Sequence, residues 1–360
     1  MSIFVTKSFL PPLADYEQYI KRIYEKSILT NQGPCVRELE EKLSDFLQVS
    51  DFQYVTNGTI ALQLALKALG IEDGEVITTP FSYVATTSSI LWERCAPVFV
   101  DIEPDNFTID VNKIEKAITP RTKAIMAVHV FGYACDVETI QKIADKHDLK
   151  VIYDAAHAFG SRYRGKSLCS YGDVSTCSFH ATKVFHTIEG GGCICRDREV
   201  SRKLQLIKKF GHDGDEHFVL GINGKQSEFH AAMGLALFPY LPCLIKERKR
   251  VSDMYDSLLA GVVRRPKAQS GLEYNYAYYP VVFKSEQELL SVFAALKEHD
   301  IFPRRYFYPS LNTLPYLKTA QNCPMSEDIC ARIACLPLYP DLDNESVERI
   351  CKVIKEGIND

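Results

Sequence analysis

Along the first two thirds of the chain, apolar residues gather in short runs that do not alternate with polar ones. The segments between them carry the three-to-four-residue spacing of amphipathic helices. The runs 52–55, 75–80, 96–102, 122–130, 149–154, 174–180 and 190–196 are predicted strands. Helices are predicted at 59–71, 86–95, 112–118 and 137–148. Strands apolar on both faces and separated by helices build a mostly parallel sheet covered on either side.

The pattern changes near Leu237. Residues 228–259 read as one long helix, kinked around Pro239 and Pro242. Residues 274–283 alternate aromatics and predict an antiparallel strand, followed by a helix at 286–300, a Tyr/Pro-rich loop at 304–317 and a last helix at 344–357. The expected organisation is α/β: an N-terminal arm at 1–30, a large parallel-sheet domain at 31–240 and a smaller C-terminal α+β domain at 241–360. With no internal repeat and no low-complexity linker, the two domains are expected to share one interface.

Composition narrows the function. A chain of 360 residues, 46% apolar and 24% charged, has the hydrophobic content of a folded enzyme. A net charge of −4 disfavours attraction to nucleic acid or anionic membrane. No stretch approaches the roughly 18 uninterrupted apolar residues of a membrane span. The segment 1–19 lacks a basic start before an apolar core, so no secretory signal is expected and the protein is placed in the cytoplasm. Twelve cysteines are scattered without a C-x-x-C pair, and the histidine pairs His180/His186 and His212/His217 have the wrong offset for a helical zinc site. Reduced, mostly buried thiols and no metal are the expectation.

Ligands of open α/β sheets sit at the carboxyl ends of the strands, and four unusual features fall there. Asn57-Gly58-Thr59 opens a helix, where free amides and a hydroxyl make a phosphate cup; an Asn-Gly turn with a helix cap is the plainer alternative. Asp154 ends an apolar strand, and a buried carboxylate there needs a partner: an arginine, a metal or a protonated ring nitrogen. His157 lies three residues on, near enough to face the same cavity. Lys183 follows another apolar segment and precedes a Gly-rich stretch, where desolvation can make its amine a nucleophile; a surface lysine is the alternative. Tyr83 stands where an aromatic could stack on a planar ring. A phosphate cup, a carboxylate, a nucleophilic lysine and an aromatic lid together fit pyridoxal 5'-phosphate.

Seven motifs then occur in series: T-N-Q-G-P at 30–34, N-G-T-I-A-L at 57–62, T-P-F-S-Y-V-A-T at 79–86, Y-D-A-A-H-A-F-G at 153–160, S-F-H-A-T-K at 178–183 with E-G-G at 189–191, G-I-N-G-K-Q-S-E-F at 221–229 and L-P-L-Y-P at 336–340. From about Leu29 to about Ile354 the chain resembles the DegT/DnrJ/EryC1/StrS family of pyridoxal-phosphate-dependent nucleotide-sugar aminotransferases. The resemblance implies an aspartate-aminotransferase-like fold (type I) and a homodimer with shared active sites. It implies that L-glutamate aminates the C4 ketone of a nucleotide-linked 4-keto-6-deoxyhexose, dTDP-4-keto-6-deoxy-D-glucose being the expected one, by a ping-pong route through pyridoxamine 5'-phosphate. Products of such enzymes enter surface glycans such as the O-antigen of lipopolysaccharide, or glycosylated natural products.

Carried over residue by residue, the resemblance gives Lys183 the covalent hold on the cofactor and the proton shuttle, and Asp154 the ring nitrogen. Gly58, Thr59 and Ser178 would hold the phosphate, Tyr83 would stack, and Asn223 would reach the phosphate of the neighbouring subunit. His157 stands where many members have Gln facing the phenolic oxygen, while Gly224 and Lys225 replace a bulkier residue and an Arg in the partner-subunit loop. Lys225, Arg305, Tyr306 and Tyr308 are the expected substrate contacts, the Arg304–Tyr308 loop serving as a lid or, alternatively, as a surface Arg pair beside packed aromatics. The alternatives in function are the same chemistry on a 3-keto or a UDP- or GDP-linked sugar, a non-catalytic regulator that binds the cofactor, and a phosphate-binding module in which Lys183 is incidental.

Overall fold

The computed structural model describes residues 2–359. Its centre is a seven-stranded sheet in the order Gln53–Val55, Gly191–Cys195, Val174–Ser178, Lys150–Asp154, Thr122–Val128, Glu75–Thr78, Ala96–Phe99. Gly191–Cys195 runs antiparallel to both its neighbours, and the other pairings are parallel. Successive residues of a strand face opposite sides. Val76, Ala124, Ile152 and Val174 accordingly pack on the Gly58–Ala68 helix. Ile77, Ile125 and Val151 pack on Ile140 and Ala144 of the Val137–His147 helix. This is the α/β architecture expected from the apolar runs.

Several runs extend beyond their strands at the carboxyl edge. Phe81, Ile102 and Val130 leave the ladder there yet stay buried, because Val282, Phe307, Ile329 and Ile333 from the C-terminal part close over them. A second core, of Val251, Tyr255, Tyr279, Val281, Leu336 and Ile350, lies within that part. Ile3–Phe4 joins it by pairing in parallel with Ile301–Phe302.

The long helix is broken where its prolines predict. Glu228–Leu237 passes through a 3-10 turn, Phe238–Tyr240, into Leu241–Leu258. By length and composition alone this run could cross a membrane, where no span is expected from the sequence. Its apolar surface is instead used in packing: Ala231, Leu235 and Leu241 sit in the core with Leu39 and Phe185, and Val251 and Tyr255 in the second core.

The predicted strand at 274–283 is shorter than expected. Only Tyr279–Val282 forms a ladder, antiparallel to Ile333–Leu336. The residues before it are drawn off by Asn275, whose buried amide donates to the carbonyls of His157 (2.8 Å) and Phe159 (2.9 Å). Four helices were not anticipated: Leu13–Lys26, Pro34–Leu47, Arg198–Ile207 and Pro324–Arg332. The second is capped from far away: the buried Glu228 carboxylate accepts from the amides of Cys35 (2.7 Å) and Val36 (3.0 Å). A Cβ on Gly33 would stand 2.5 Å from Glu228 Cδ, which accounts for the glycine. All twelve cysteines are free thiols, and all but Cys243 are buried.

Candidate active site

A cavity of about 510 Å³ opens at the carboxyl edge of the sheet, between the strand ends and the Arg304–Phe307 segment. Gly58, Thr59, Tyr83, Asp154, His157, Ser178, Lys183 and Tyr306 all line it. Residues separated by more than two hundred positions thus meet in one place.

At one end lies the start of the Gly58–Ala68 helix. Asn57 caps it, its Oδ1 accepting from the Ile60 amide at 2.9 Å. Among the described residues the amides of Gly58 and Thr59 have no partner, so two donors and the positive end of the helix dipole face the cavity. The cup is tight: a Cβ on Gly58 would stand 2.9 Å from Ser178 Cβ, and one on Gly191 would stand 2.5 Å from the Asn57 carbonyl carbon. Only glycine lets these three segments converge.

Asp154 ends its strand 6% exposed. Its Oδ2 accepts from Thr86 Oγ1 at 2.7 Å and its Oδ1 from the Ala156 amide at 3.1 Å. With the Thr86 proton committed to Asp154, Ser82 Oγ is the donor in its 2.8 Å contact with Thr86. Burial raises the carboxyl pKa, opposed by the Thr86 and Ala156 hydrogen bonds and by the Lys183 charge. No cation lies within ion-pair distance of it among the described residues. The Thr86 and Ala156 donors bias an otherwise unpaired carboxylate toward its charged form, as a partner for a protonated nitrogen requires.

Lys183 projects a half-buried side chain into the same space, and desolvation lowers its pKa to about 8. Nζ donates to Tyr278 Oη at 3.0 Å and lies 5.7 Å from the centre of that ring. His157 is buried, stacked 5.4 Å from Phe307, and its pKa is held well below the usual histidine range by burial and by Lys183. Its Nδ1 takes a hydrogen bond from the Phe131 amide at 3.2 Å, so Nδ1 carries the lone pair and the proton resides on Nε2. The neutral ring therefore remains a donor.

Other expected contacts lie elsewhere. Arg305 turns away from the cavity; its guanidinium is taken up by Glu286 (2.7 Å) and the Ala331 carbonyl (2.7 Å), and Tyr308 covers its face. Arg304 takes its place on the wall, its backbone clamped to Cys335 and its guanidinium over Tyr306. Asn223 and Lys225 do not line this cavity. They bond each other at 2.8 Å on a loop whose neighbours Phe218, Leu220 and Ile222 are 53%, 87% and 42% exposed. Ser82, Thr86 and Tyr278 were not singled out from the sequence, whereas Arg304 opens the loop expected to form the lid. Ser82 and Thr86 do lie within the 79–86 motif, the only signal that could have found them.

The donor set fits a planar phosphorylated pyridine aldehyde: free amides in a glycine-tight cup, a buried carboxylate lacking a cation, and a desolvated amine between them. Fold and site together define a cofactor-dependent transferase of the aspartate-aminotransferase type. A family description, "DegT/DnrJ/EryC1/StrS aminotransferase family", matches residues 14–355. The chain is 41% identical over 364 residues to a dTDP-4-amino-4,6-dideoxy-D-glucose transaminase of Shigella dysenteriae, covering 98% of each. It is 33% identical over 358 residues to a GDP-perosamine synthase of Escherichia coli O157:H7, again covering 98% of each. It superposes on the crystal structure of DesI in the presence of its TDP-sugar product with a TM-score of 0.94, 30% identity, and 99% and 94% of the two chains covered. The chain belongs to the DegT/DnrJ/EryC1/StrS aminotransferase family, whose members depend on pyridoxal phosphate, and it is a nucleotide-sugar aminotransferase.

Proposed function

We propose that the protein moves the amino group of L-glutamate onto the C4 ketone of dTDP-4-keto-6-deoxy-D-glucose, in two half-reactions at one site. The observation that carries this reading is the convergence of Lys183, Asp154 and the Gly58–Thr59 amides on one cavity. The 41% relative, named for the corresponding amino sugar, supports the substrate. Pyridoxal phosphate, when bound, supplies an electron sink that carries the amino group between donor and ketone.

The chain's own residues have separate tasks. Gly58 and Thr59 amides, with Ser178 close beside them, hold a phosphate. Asp154, its carboxylate hydrogen-bonded by Thr86, holds the proton of the ring nitrogen. Lys183 anchors the aldehyde and then moves the proton at the reacting carbon, which a pKa of about 8 suits near neutral pH. Tyr83 covers the ring, and His157 donates from Nε2 to the phenolic oxygen. The Arg304 guanidinium, without a carboxylate partner among the described residues, takes the charge of the sugar's diphosphate. Asn223 and Lys225 serve the site of a second copy in a homodimer, the exposed Phe218, Leu220 and Ile222 covering the contact. The reaction takes place in the cytoplasm.

The test is the visible absorbance of the protein loaded with pyridoxal phosphate. L-Glutamate is expected to bleach it to a near-ultraviolet band, and dTDP-4-keto-6-deoxy-D-glucose to restore it with release of the amino sugar. No bleaching by glutamate refutes the donor. Restoration only by a GDP- or UDP-linked ketose, or by a 3-keto sugar, refutes the acceptor.

A further inference from the structure

Lys183 has one side-chain hydrogen bond among the described residues, and it is to Tyr278. Among the described residues no carboxylate lies within ion-pair distance of Nζ; Asp154 acts on it only through space. Tyr278 comes from the segment just before the Tyr279–Val282 strand, on the C-terminal side of the cavity. It is held from several directions. Tyr274 Oη donates to its carbonyl at 3.1 Å and to that of Phe131 at 2.9 Å. Its ring stands edge-on to His157 at 5.0 Å and to Tyr306 at 5.8 Å. Arg248, buried on the long helix, donates to the Leu338 carbonyl at 2.9 Å and steadies the neighbouring chain.

We propose that Tyr278 is a positioning residue for Lys183: its phenol oxygen docks the lysine amine whenever that amine is not bonded to the cofactor, and so keeps Nζ aimed into the cavity. This rests on the aminotransferase reading above. A free lysine end has four flexible carbons and many rotamers, whereas proton transfer needs its nitrogen within about 3 Å of the reacting carbon. Within each half-reaction the amine takes up one proton and gives up one, so its charge alternates. The phenol serves both states, because a hydroxyl accepts from an ammonium and donates to an amine. Burial keeps the phenol protonated at working pH. Tyr278 itself gains and loses no proton.

Tyr278→Phe keeps the ring packing and removes only the oxygen. Two measurements decide the matter, with Tyr276→Phe, two residues away and outside the cavity lining, as the control. The first is the pH dependence of acetic anhydride labelling of Lys183 in the cofactor-free protein, followed by peptide mass spectrometry. Loss of an acceptor from the ammonium lowers the pH midpoint from about 8 by roughly one unit, a tenfold change in proton affinity. An unshifted midpoint overturns the contact. The second is a single turnover of the loaded enzyme with L-glutamate. Tyr278→Phe is expected to slow it about tenfold while the glutamate concentration giving half the maximal rate stays the same. An unchanged rate, or a loss confined to glutamate affinity, overturns the positioning role. Failure of the wild-type enzyme to respond to glutamate would instead overturn the aminotransferase donor, while the labelling midpoint still decides the Tyr278 contact.

Discussion

Replacing Lys183 by methionine should make the cofactor-free protein more stable, and by an amount that depends on pH. The lysine titrates at 10.5 when free and at about 8 in the folded chain, because burial penalises its ammonium. Between those values the unfolded chain binds the extra proton, so folding becomes more favourable as pH rises through that range. Its contribution is complete above 10.5 and is lost as pH falls through 8. The difference of about 2.5 pH units corresponds to about 3 kcal/mol at pH 7, shrinking to about 1 kcal/mol at pH 10. Methionine has nearly the same length and carries no charge, so it escapes the penalty at every pH.

Urea unfolding of cofactor-free wild type and Lys183→Met at pH 7, 8, 9 and 10 measures this directly. Methionine adds its own packing gain, but that gain does not titrate, so the slope of the difference isolates the lysine. The variant's advantage should fall by about 2 kcal/mol between pH 7 and pH 10. A difference that is flat across the range, or one that grows with pH, would show that Lys183 is not desolvated and would remove the basis for a reactive amine. On the proposed function, the destabilised lysine serves a chemistry that requires a proton able to leave near neutrality.

Three further outcomes are expected. Thr86→Val removes the 2.7 Å hydrogen bond to Asp154, pushing the carboxyl pKa further up. Cofactor affinity at neutral pH should drop about tenfold, and the acid side of its pH profile should move to higher pH, as read by fluorescence titration; an unchanged profile would mean that Thr86 does not tune Asp154. Arg304→Gln should raise the KM for the nucleotide sugar about tenfold or more and spare the glutamate half-reaction, whereas Arg305→Gln should leave that KM alone, since its guanidinium is spent on Glu286 and Ala331. Steady-state kinetics showing the reverse would exchange the two roles. Glu228→Ala should cost about 2–4 kcal/mol in urea unfolding by orphaning the buried Cys35 and Val36 amides; a loss under 1 kcal/mol would mean that water replaces the carboxylate.

The parallel sheet was legible because its strands are buried on both faces, which leaves apolar runs that no loop needs. Asp154, Lys183 and the Asn57–Thr59 turn were legible for the opposite reason: each puts a polar group at the end of such a run, where burial demands a purpose. What stayed hidden depends on contacts across long separations. The Pro34–Leu47 helix is capped by Glu228, nearly two hundred residues away, so no local signal announces its start. Tyr278 sits in a run of alternating aromatics and reads like its neighbours, but Asn275 ties that run to the carbonyls of His157 and Phe159 and so frees Tyr278 from the ladder to face Lys183. Arg304 and Arg305 are adjacent and chemically identical. The backbone bridge of Arg304 to Cys335, and the claim of Glu286 on Arg305, decide which of them meets the cavity. A linear pattern reports which residues would be costly to bury. It cannot report which of two equal side chains a distant carboxylate has already taken, and at this site that choice separates the arginine on the cavity wall from a structural clamp.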